Sequence, residues 1–263
     1  NRIEDIEHPI VREALRLMEI DFPIEVTTFA DIPAGTGLGS SSSFAVGLMH
    51  ALYALKGQYV TKYTLAESAA QIEINILKRT MGKQDHYAAS YGNLNIFTFQ
   101  PDESVVVEPV FYQMEVKNTL DDNLMLFYTK LKRDASEVLK TQNRAISKKR
   151  KVLQKMRDLV HPLKDVLSGK NNVNVFGEIL HKNWMLKKSI TDQVSSAKID
   201  VYYDKAIAAG AIGGKLLGAG GGGFLLFYVE KKNQNSVREV LSELYELKFE
   251  LDTDDTRITY YDQ

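Results

Sequence analysis

The 263-residue chain contains no cysteine, and this absence removes several kinds of chemistry at once. Disulfide bonds, cysteine-ligated metals and cysteine nucleophiles are all excluded. No apolar run approaches the ~18 residues that a membrane-spanning helix needs. The formal net charge is −1, so overall charge gives no argument for nucleic acid or a membrane as a partner. We therefore expect neither of these partners.

Hydrophobic residues make up 44% of the chain and charged residues 25%, which is an ordinary globular composition. The length is sufficient for one large or two ordinary domains. The chain begins at Asn1 and shows no signal peptide. We expect a cytoplasmic protein, and we expect the chain to be the remainder of a longer one.

The most informative stretch is Gly35 to Ser43, with the sequence GTGLGSSSS. It follows an alternating run from Ile24 to Phe29 that predicts a strand, and it precedes apolar residues at helical spacing from Phe44 to Lys56. The start of a helix offers unpaired backbone N–H groups and the positive end of the helix dipole. Glycines let the backbone approach a ligand closely, and serines add hydroxyl donors. The stretch therefore predicts a phosphate-binding loop, which we call the phosphate loop.

Two common nucleotide-binding loops do not match this stretch. A Walker A loop ends in Gly-Lys-Ser or Gly-Lys-Thr, but no lysine occurs between Asp31 and Leu55. A dinucleotide fingerprint needs the spacing G-x-G-x-x-G, which Gly35, Gly37 and Gly39 do not have. A flexible loop that merely starts a helix remains an alternative.

Two carboxylates follow at a spacing that can bring them together. A helix predicted from Thr64, with a capping box to Glu67, runs to about Arg79 and carries Glu73 at the border of its apolar face. Asp85 begins a further short helix. One carboxylate can hold a magnesium ion, and the other can accept the proton of an attacking hydroxyl, as phosphoryl transfer requires. A surface glutamate and an aspartate that only caps its helix remain alternatives.

The second half opens with a predicted buried strand, Leu124 to Tyr128, followed by a basic and helical region from Ala135 to Ser189. Thr129, Lys132 and Arg133 come directly after the strand and are best placed to meet an anionic substrate. An exposed, solvated helix face is the alternative for these charges. Nucleic-acid binding is disfavoured because the base-stacking aromatics and glycine-rich modules typical of nucleic-acid-binding proteins are missing.

A second glycine-rich stretch, residues 213–223 with the sequence GGKLLGAGGGG, precedes a predicted strand from Phe224 to Val229. This order is the reverse of a Rossmann turn, and the four consecutive glycines suit the close approach of two backbones. We call this stretch the glycine motif. Its neighbours are a predicted helix at Ile199 to Ala209, a predicted helix at Val237 to Leu247, and a predicted strand at residues 248–261.

The phosphate loop, together with the preceding Pro33 and Ala34, closely resembles that of the GHMP kinases, named after galactokinase, homoserine kinase, mevalonate kinase and phosphomevalonate kinase. The resemblance implies an α+β fold of two domains and the use of ATP and Mg²⁺. An N-terminal α/β domain that carries the loop is expected at residues 1–120, and a ferredoxin-like C-terminal domain at 121–263. The first strands of the family fold, and its N-terminal motif, are expected before Asn1.

The resemblance also implies roles for single residues. Asp85 matches the catalytic aspartate of the family, and Glu73 matches the magnesium-binding glutamate. Ser41 matches the loop serine that helps to hold magnesium, with Ser40 as the other candidate, and His86 stands where many relatives have glutamine. The implied contacts to the ATP phosphates are Gly35, Gly37, Leu38, Gly39, Ser40, Ser41 and Ser42, and those to the substrate are Asp85, Thr129, Arg133, Gly220 and Gly221.

Shorter segments are most similar to bacterial D-glycero-D-manno-heptose 7-phosphate kinases of surface-polysaccharide synthesis. These segments are residues 7–10, 51–57, 82–85, 126–129 and 213–224. The resemblance implies transfer of a phosphate from ATP to the anomeric hydroxyl of the heptose 7-phosphate, giving the 1,7-bisphosphate. Kinases for fucose, galactose or another phosphosugar, and a nucleotide- and sugar-binding sensor without chemistry, remain alternatives. The oligomeric state is left open, with a dimer as one alternative.

Overall fold

The computed structural model of the protein describes residues 2–32, 35–131 and 135–262. The described residues form two compact units. The first draws on Asn1–Ala34, Gly39–Glu108 and Asp252–Gln263, and the second on Gly35–Leu38 and Pro109–Leu251.

This division differs from the expected boundary near residue 120. The helix that contains this residue, Met114–Asn123, belongs to the second unit. Within that unit Asp121 accepts a hydrogen bond from the Leu251 backbone, and Asp122 pairs with Lys231. The C-terminal segment returns to the first unit, where Asp255 pairs with Lys62. The boundary of independently folding domains remains a prediction.

The first unit is mainly helical. Its apolar core is formed by the helix that follows the phosphate loop and by the helices packed around it, with Ile10, Met49, Leu65 and Ile72 fully buried or nearly so. A two-stranded sheet follows these helices. The elements are α1 (Pro9–Leu17), α2 (Ser40–Leu55), α3 (Lys62–Ala70) with a π-helical turn at Gln71–Ile76, α4 (Gln84–Tyr91), β1 (Asn95–Phe99) and β2 (Val105–Pro109).

Several local predictions for the first unit were wrong. The run from Ile24 to Phe29 is not a strand, because no strand among the described residues pairs with it, and Phe29 is 94% exposed. The phosphate-loop helix begins at Ser40 rather than at Phe44. The helix that carries Glu73 is capped by Thr61 rather than Thr64, because the Thr61 hydroxyl accepts the Thr64 N–H at 3.1 Å.

The second unit contains a four-stranded antiparallel sheet covered by helices. The strand predicted from Leu124 lies inside this sheet and pairs with a neighbour on each side. Its Leu126 lies opposite Leu226 on one neighbour and Leu247 on the other. Trp184, Tyr203 and Phe227 form its buried core. The elements are α5 (Met114–Asn123), β3 (Leu124–Tyr128), α6 (Ala135–Arg157), α7 (Val160–Leu167), α8 (Val175–Lys188), α9 (Ala197–Ala208), β4 (Gly213–Leu216), β5 (Phe224–Tyr228), α10 (Gln234–Val240) and β6 (Tyr245–Leu247), with the strand order β4-β5-β3-β6.

The last part of the chain departs from the sequence prediction. The helix expected up to Leu247 ends at Val240, because β6 pairs with β3 and places Tyr245 opposite Tyr128. Residues 248–261 contain no strand. The fold class, a mixture of helices and antiparallel strands in two parts, is nevertheless confirmed. Within the described residues, every helix is too short or too polar to cross a membrane.

Candidate active site

The junction between the phosphate loop and α2 presents free backbone donors. Gly39 precedes the helix with a φ of 71°, in the left-handed region, and no side chain among the described residues caps the helix start. The N–H groups of Ser40, Ser41 and Ser42 are therefore left without helical partners. The Ser41 side chain is exposed, whereas Ser42 is fully buried.

Glu73 lies in a buried hydrogen-bond network of the first unit. Its side chain is fully buried within the π-helical turn. Ser42 Oγ donates to Glu73 Oε2 at 3.2 Å, and His86 Nε2 lies 2.9 Å from the same oxygen. Arg79 forms an ion pair with Oε1. A buried carboxylate needs such partners, because an unpaired charge inside a protein is costly.

The surroundings of Glu73 keep it ionised. Burial acts to raise the pKa of Glu73, but hydrogen bonds from His86 and Ser41 and the charges of His86 and Arg79 outweigh burial and lower that pKa. The carboxylate is therefore negatively charged at neutral pH.

Asp85 lies in the first turn of α4, where the residue as a whole is exposed but its carboxyl group is partly shielded from water by its surroundings. It packs against the loop junction, because a Cβ atom added to Gly39 would lie 3.4 Å from Asp85 Oδ2. Burial of the carboxyl group raises the pKa of Asp85, His86 opposes this shift, and the charge of Glu73 adds to it. The pKa values of the two carboxyl groups thus move in opposite directions, which is the arrangement expected of two acids with different roles.

The oxygen donors beside Asp85 fit a magnesium ion. Of the two ligands predicted from the sequence, Ser41 is the neighbour in the chain of Ser42, whose hydroxyl donates to the other ligand, Glu73. Mg²⁺ prefers oxygen ligands and is usually held by one or two carboxylates together with substrate phosphates. An ionised glutamate and an exposed serine hydroxyl are donors of this kind.

The glycine motif packs against the beginning of the phosphate loop within the second unit. A Cβ atom added to Gly218 would lie 2.7 Å from the Cα atom of Gly37, and one added to Gly37 would lie 3.1 Å from the Leu217 carbonyl oxygen. A Cβ atom added to Gly223 would collide with the Thr36 carbonyl oxygen. The predicted close approach of two backbones is therefore present, and only glycine permits it.

The residues predicted to contact the substrate have structural roles in the second unit. Thr129 is buried, and its Oγ1 donates to the Gly223 carbonyl oxygen at 2.7 Å. Gly220 and Gly221 are also buried, and the Gly221 N–H donates to the Val194 carbonyl oxygen at 2.9 Å. The predicted substrate contact Arg133, and Lys132 beside it, lie outside the described residues.

The structure brings Gly39, Ser40, Ser41, Ser42, Glu73 and Asp85 together in the first unit. In the second unit it brings Gly37 to the glycine motif, whereas a Cβ atom added to Gly35 would meet no atom within 4 Å. The sequence gives His86 no role of its own, and it indicates Arg79 only as the end of a helix. In an ordinary helix, side chains face each other when they are three or four residues apart, not six. The spacing therefore did not indicate that Arg79 pairs with Glu73.

Comparisons with known proteins show the family to which this chain is similar. The family models described as "GHMP kinases N terminal domain" and "GHMP kinases C terminal" match residues 9–93 and 163–247. The chain is 30% identical over 223 residues to a D-glycero-alpha-D-manno-heptose 7-phosphate kinase of Campylobacter jejuni, covering 82% of this chain and 64% of that relative. The chain thus spans less than two thirds of the length of this relative.

Two further relatives carry different names. A galactokinase of Pyrococcus furiosus is 26% identical over 248 residues, covering 83% of this chain and 68% of its own length. The crystal structure of a D-glycero-D-manno-heptose 1-phosphate kinase from Bacteroides thetaiotaomicron superimposes with a TM-score of 0.66 at 26% identity, covering 95% of this chain and 74% of the other. The first family model spans the phosphate loop and both carboxylates, and the second spans the glycine motif. Since the two models match in order along the chain, the protein belongs to the GHMP kinase family.

Proposed function

We propose that the protein is an ATP-dependent sugar kinase in which Asp85 is the catalytic base. The observation that carries this proposal is the position of the Asp85 carboxylate, packed against Gly39 at the end of the phosphate loop and close to the ionised Glu73. A base placed beside a phosphate-binding loop suits the transfer of a phosphate to a hydroxyl group.

In the proposed reaction, Asp85 accepts the proton of the acceptor hydroxyl while the hydroxyl oxygen attacks the γ-phosphorus of ATP. A new O–P bond forms, the bond between the γ-phosphorus and the β,γ-bridging oxygen breaks, and ADP leaves. The raised pKa of Asp85 makes it a stronger base than an ordinary aspartate. Positioning and charge neutralisation supply most of the catalysis in such a reaction.

The remaining predicted residues bind the nucleotide. Backbone N–H groups of Gly35, Gly37, Leu38, Gly39 and the serines up to Ser42 are proposed to hold the ATP phosphates. Ser41 and Glu73 would hold Mg²⁺, which supplies neutralisation of phosphate charge when bound. Since the Ser42 hydroxyl is directed to Glu73, we assign its backbone rather than its side chain to the nucleotide.

The proposed acceptor is D-glycero-D-manno-heptose 7-phosphate, phosphorylated on its anomeric hydroxyl to the 1,7-bisphosphate for surface-polysaccharide synthesis. The name of the Campylobacter jejuni relative supports this choice. The Bacteroides structure is named for a heptose 1-phosphate and the Pyrococcus relative for galactose, so these acceptors belong in the test. Gly220, Gly221 and Thr129 are proposed to shape the sugar site through the glycine motif, with Arg133 as a direct contact. We place the reaction in the cytoplasm, where ATP and sugar phosphates are available.

The test is ADP release in the presence of magnesium and ATP with heptose 7-phosphate, heptose 1-phosphate, mannose 6-phosphate, galactose and fucose. We expect turnover on the heptose 7-phosphate, and we expect Asp85→Asn to lower it by about 10²–10⁴-fold because the base is lost. The exposed Asp21→Asn is the matched control, with the same change of charge and no expected effect. Turnover of Asp85→Asn near that of the wild type contradicts the role of Asp85. ATP binding without ADP release on any sugar contradicts the kinase proposal and favours a sensor.

A further inference from the structure

Two lysine side chains of the second unit converge beside the glycine motif. Lys187, in the last turn of α8, donates from Nζ to the Gly218 carbonyl oxygen. Lys215, on β4, donates from Nζ to Asn183 Oδ1 at 3.1 Å, and Asn183 lies one helical turn before Lys187 on α8. Helix α8 and strand β4 pack directly against each other, so the two ammonium groups share one region.

Neither ammonium group has a carboxylate partner within the part of the chain that the structure describes. The neighbouring Lys188 shows the contrast, because it pairs with Asp200 at 3.1 Å. Lys187 and Lys215 are half-buried, and the hydrogen bonds that they make to described residues go to neutral oxygens. Two like charges that are partly removed from water and lack a counter-ion form an arrangement that a bound anion would complete.

The pKa values of the two lysines indicate that their surroundings destabilise the positively charged form. Burial, together with the charge of Lys215, lowers the pKa of Lys187 to about 8. Burial also lowers the pKa of Lys215. Both ammonium groups are thus held at an energetic cost that an anion between them would offset.

The position of the pair favours a phosphate group as the anion. The Gly218 residue that accepts the Lys187 hydrogen bond packs on Gly37 of the phosphate loop, in the same unit. Lysine is a compact point charge that commonly binds phosphate, and its flexible stem can follow the ligand. We propose that Lys187 and Lys215 form a binding site for a phosphate group of one of the two reactants, an inference that rests on the proposed kinase function.

Two sources of this phosphate share the same chemistry: the phosphate ester of the acceptor sugar, and the phosphates of the nucleotide. Neutralising either lysine should raise the KM of the reactant that it holds by roughly tenfold or more, the loss expected for a charge-assisted hydrogen bond. The variants are Lys187→Met and Lys215→Met, and the control is Lys182→Met, an exposed lysine of α8. A rise in the KM of the sugar phosphate assigns the site to the acceptor, and a rise in the KM of ATP assigns it to the nucleotide.

A second measurement needs no variant and no turnover. The wild-type protein is labelled with an amine-reactive reagent, with and without inorganic phosphate, and each lysine is quantified by mass spectrometry. We expect phosphate to slow the labelling of Lys187 and Lys215 but not that of Lys182. This readout also guards against a variant that fails to fold, and Lys187→Arg, which keeps the charge, should retain phosphate binding.

The outcomes separate this inference from the proposed function. If phosphate protects the two lysines from labelling but the protein releases no ADP with any sugar, the kinase function is contradicted and the anion site is supported. Normal turnover, with no protection and with both KM values unchanged in the two methionine variants, overturns the anion site. In that case Lys187 only anchors the Gly218 carbonyl, aided by its place at the C-terminal end of a helix dipole.

Discussion

The Glu73 carboxylate is a buried charge of the first unit that three side chains hold in place. It is fully buried and would be unstable there without its partners. Arg79 is paired with Oε1, whereas Ser42 and His86 share Oε2. Because His86 is itself fully buried, its ring cannot exchange the hydrogen bond to Glu73 for one to solvent water. We infer that His86 holds the carboxylate in one orientation, as the proposed magnesium site would require.

Replacing His86 should therefore weaken the fold in a graded way. His86→Leu removes the partner of a buried charged oxygen and should lower the free energy of unfolding by about 1–3 kcal/mol. His86→Gln keeps an amide N–H that can donate to Glu73, so its loss should be smaller. Urea unfolding followed by circular dichroism measures both variants, with the exposed His161→Leu as the control. Equal stability of the leucine and glutamine variants would show that the hydrogen bond contributes nothing.

At this scale the sequence predicted the meeting of the two carboxylates but not their partners. Helical spacing placed Glu73 at the border of an apolar face, and a turn followed by a new helix brought Asp85 near it. The π-helical turn at Gln71–Ile76 was not predictable, because backbone bonds between residues five apart, such as that from the Leu77 N–H to the Ile72 carbonyl oxygen at 2.9 Å, have no residue signature of their own. Within this turn Glu73 is fully buried rather than at a border.

Among the elements, the glycine motif holds its neighbours through backbone contacts that no larger residue permits. Gly213, at the start of β4, faces α8, because an added Cβ atom would collide with the Gly177 carbonyl oxygen. Gly218 faces Gly37, with a φ of 69° that L side chains rarely adopt. One stretch of chain thus joins β4 and α8 on one side and supports the phosphate loop on the other.

Gly218→Ala should displace the start of the phosphate loop. The new methyl group would lie 2.7 Å from Gly37 Cα, so one of the two backbones must move. We expect weaker ATP binding, together with a loss in free energy of unfolding of about 1–3 kcal/mol from overpacking. The control is Gly57→Ala, which has a φ of 64° and open space around the new methyl, so it tests backbone strain alone. The measurement is the ATP affinity of both variants by calorimetry. An equal loss of affinity in Gly218→Ala and Gly57→Ala would show that the contact with Gly37 is not the cause.

Elements with a strong apolar pattern were predictable from the sequence. Strands that form only because they pair with a neighbouring strand were not. The buried run at β3 and the helical runs at α2 and α4 were found from the sequence with small errors at their ends. β4 was missed because two of its four residues are glycines, which have low strand propensity. β6 was taken for helix because its three residues carry no period of their own, and only its partner β3 makes it a strand.

On the scale of the whole molecule, the chain leaves the first unit after Glu108 and returns to it at Asp252. The returning segment is attached by specific contacts. Asp255 pairs with Lys62 at the start of α3, and His50 Nδ1 on α2 lies 3.1 Å from Thr256 Oγ1. Gly92, with a φ of 62°, lies so close to Asp254 that an added Cβ atom would meet its backbone. The sequence suggested a strand here, but the segment is held by side chains and close packing instead.

Ending the chain after Leu251 should therefore loosen the first unit and leave the second intact. The truncation removes the contacts of His50, Lys62 and Gly92 at once, whereas Lys62→Ala alone removes one surface ion pair, which contributes about 1 kcal/mol or less. Hydrogen exchange measured by mass spectrometry should rise in α2, α3 and the end of α4 of the truncated protein. It should stay unchanged in β3 and β5, whose hydrogen bonds lie within the other unit. Because a general loss of stability would raise exchange in the sheet as well, equal increases in both units would contradict the assignment of residues 252–262 to the first unit alone.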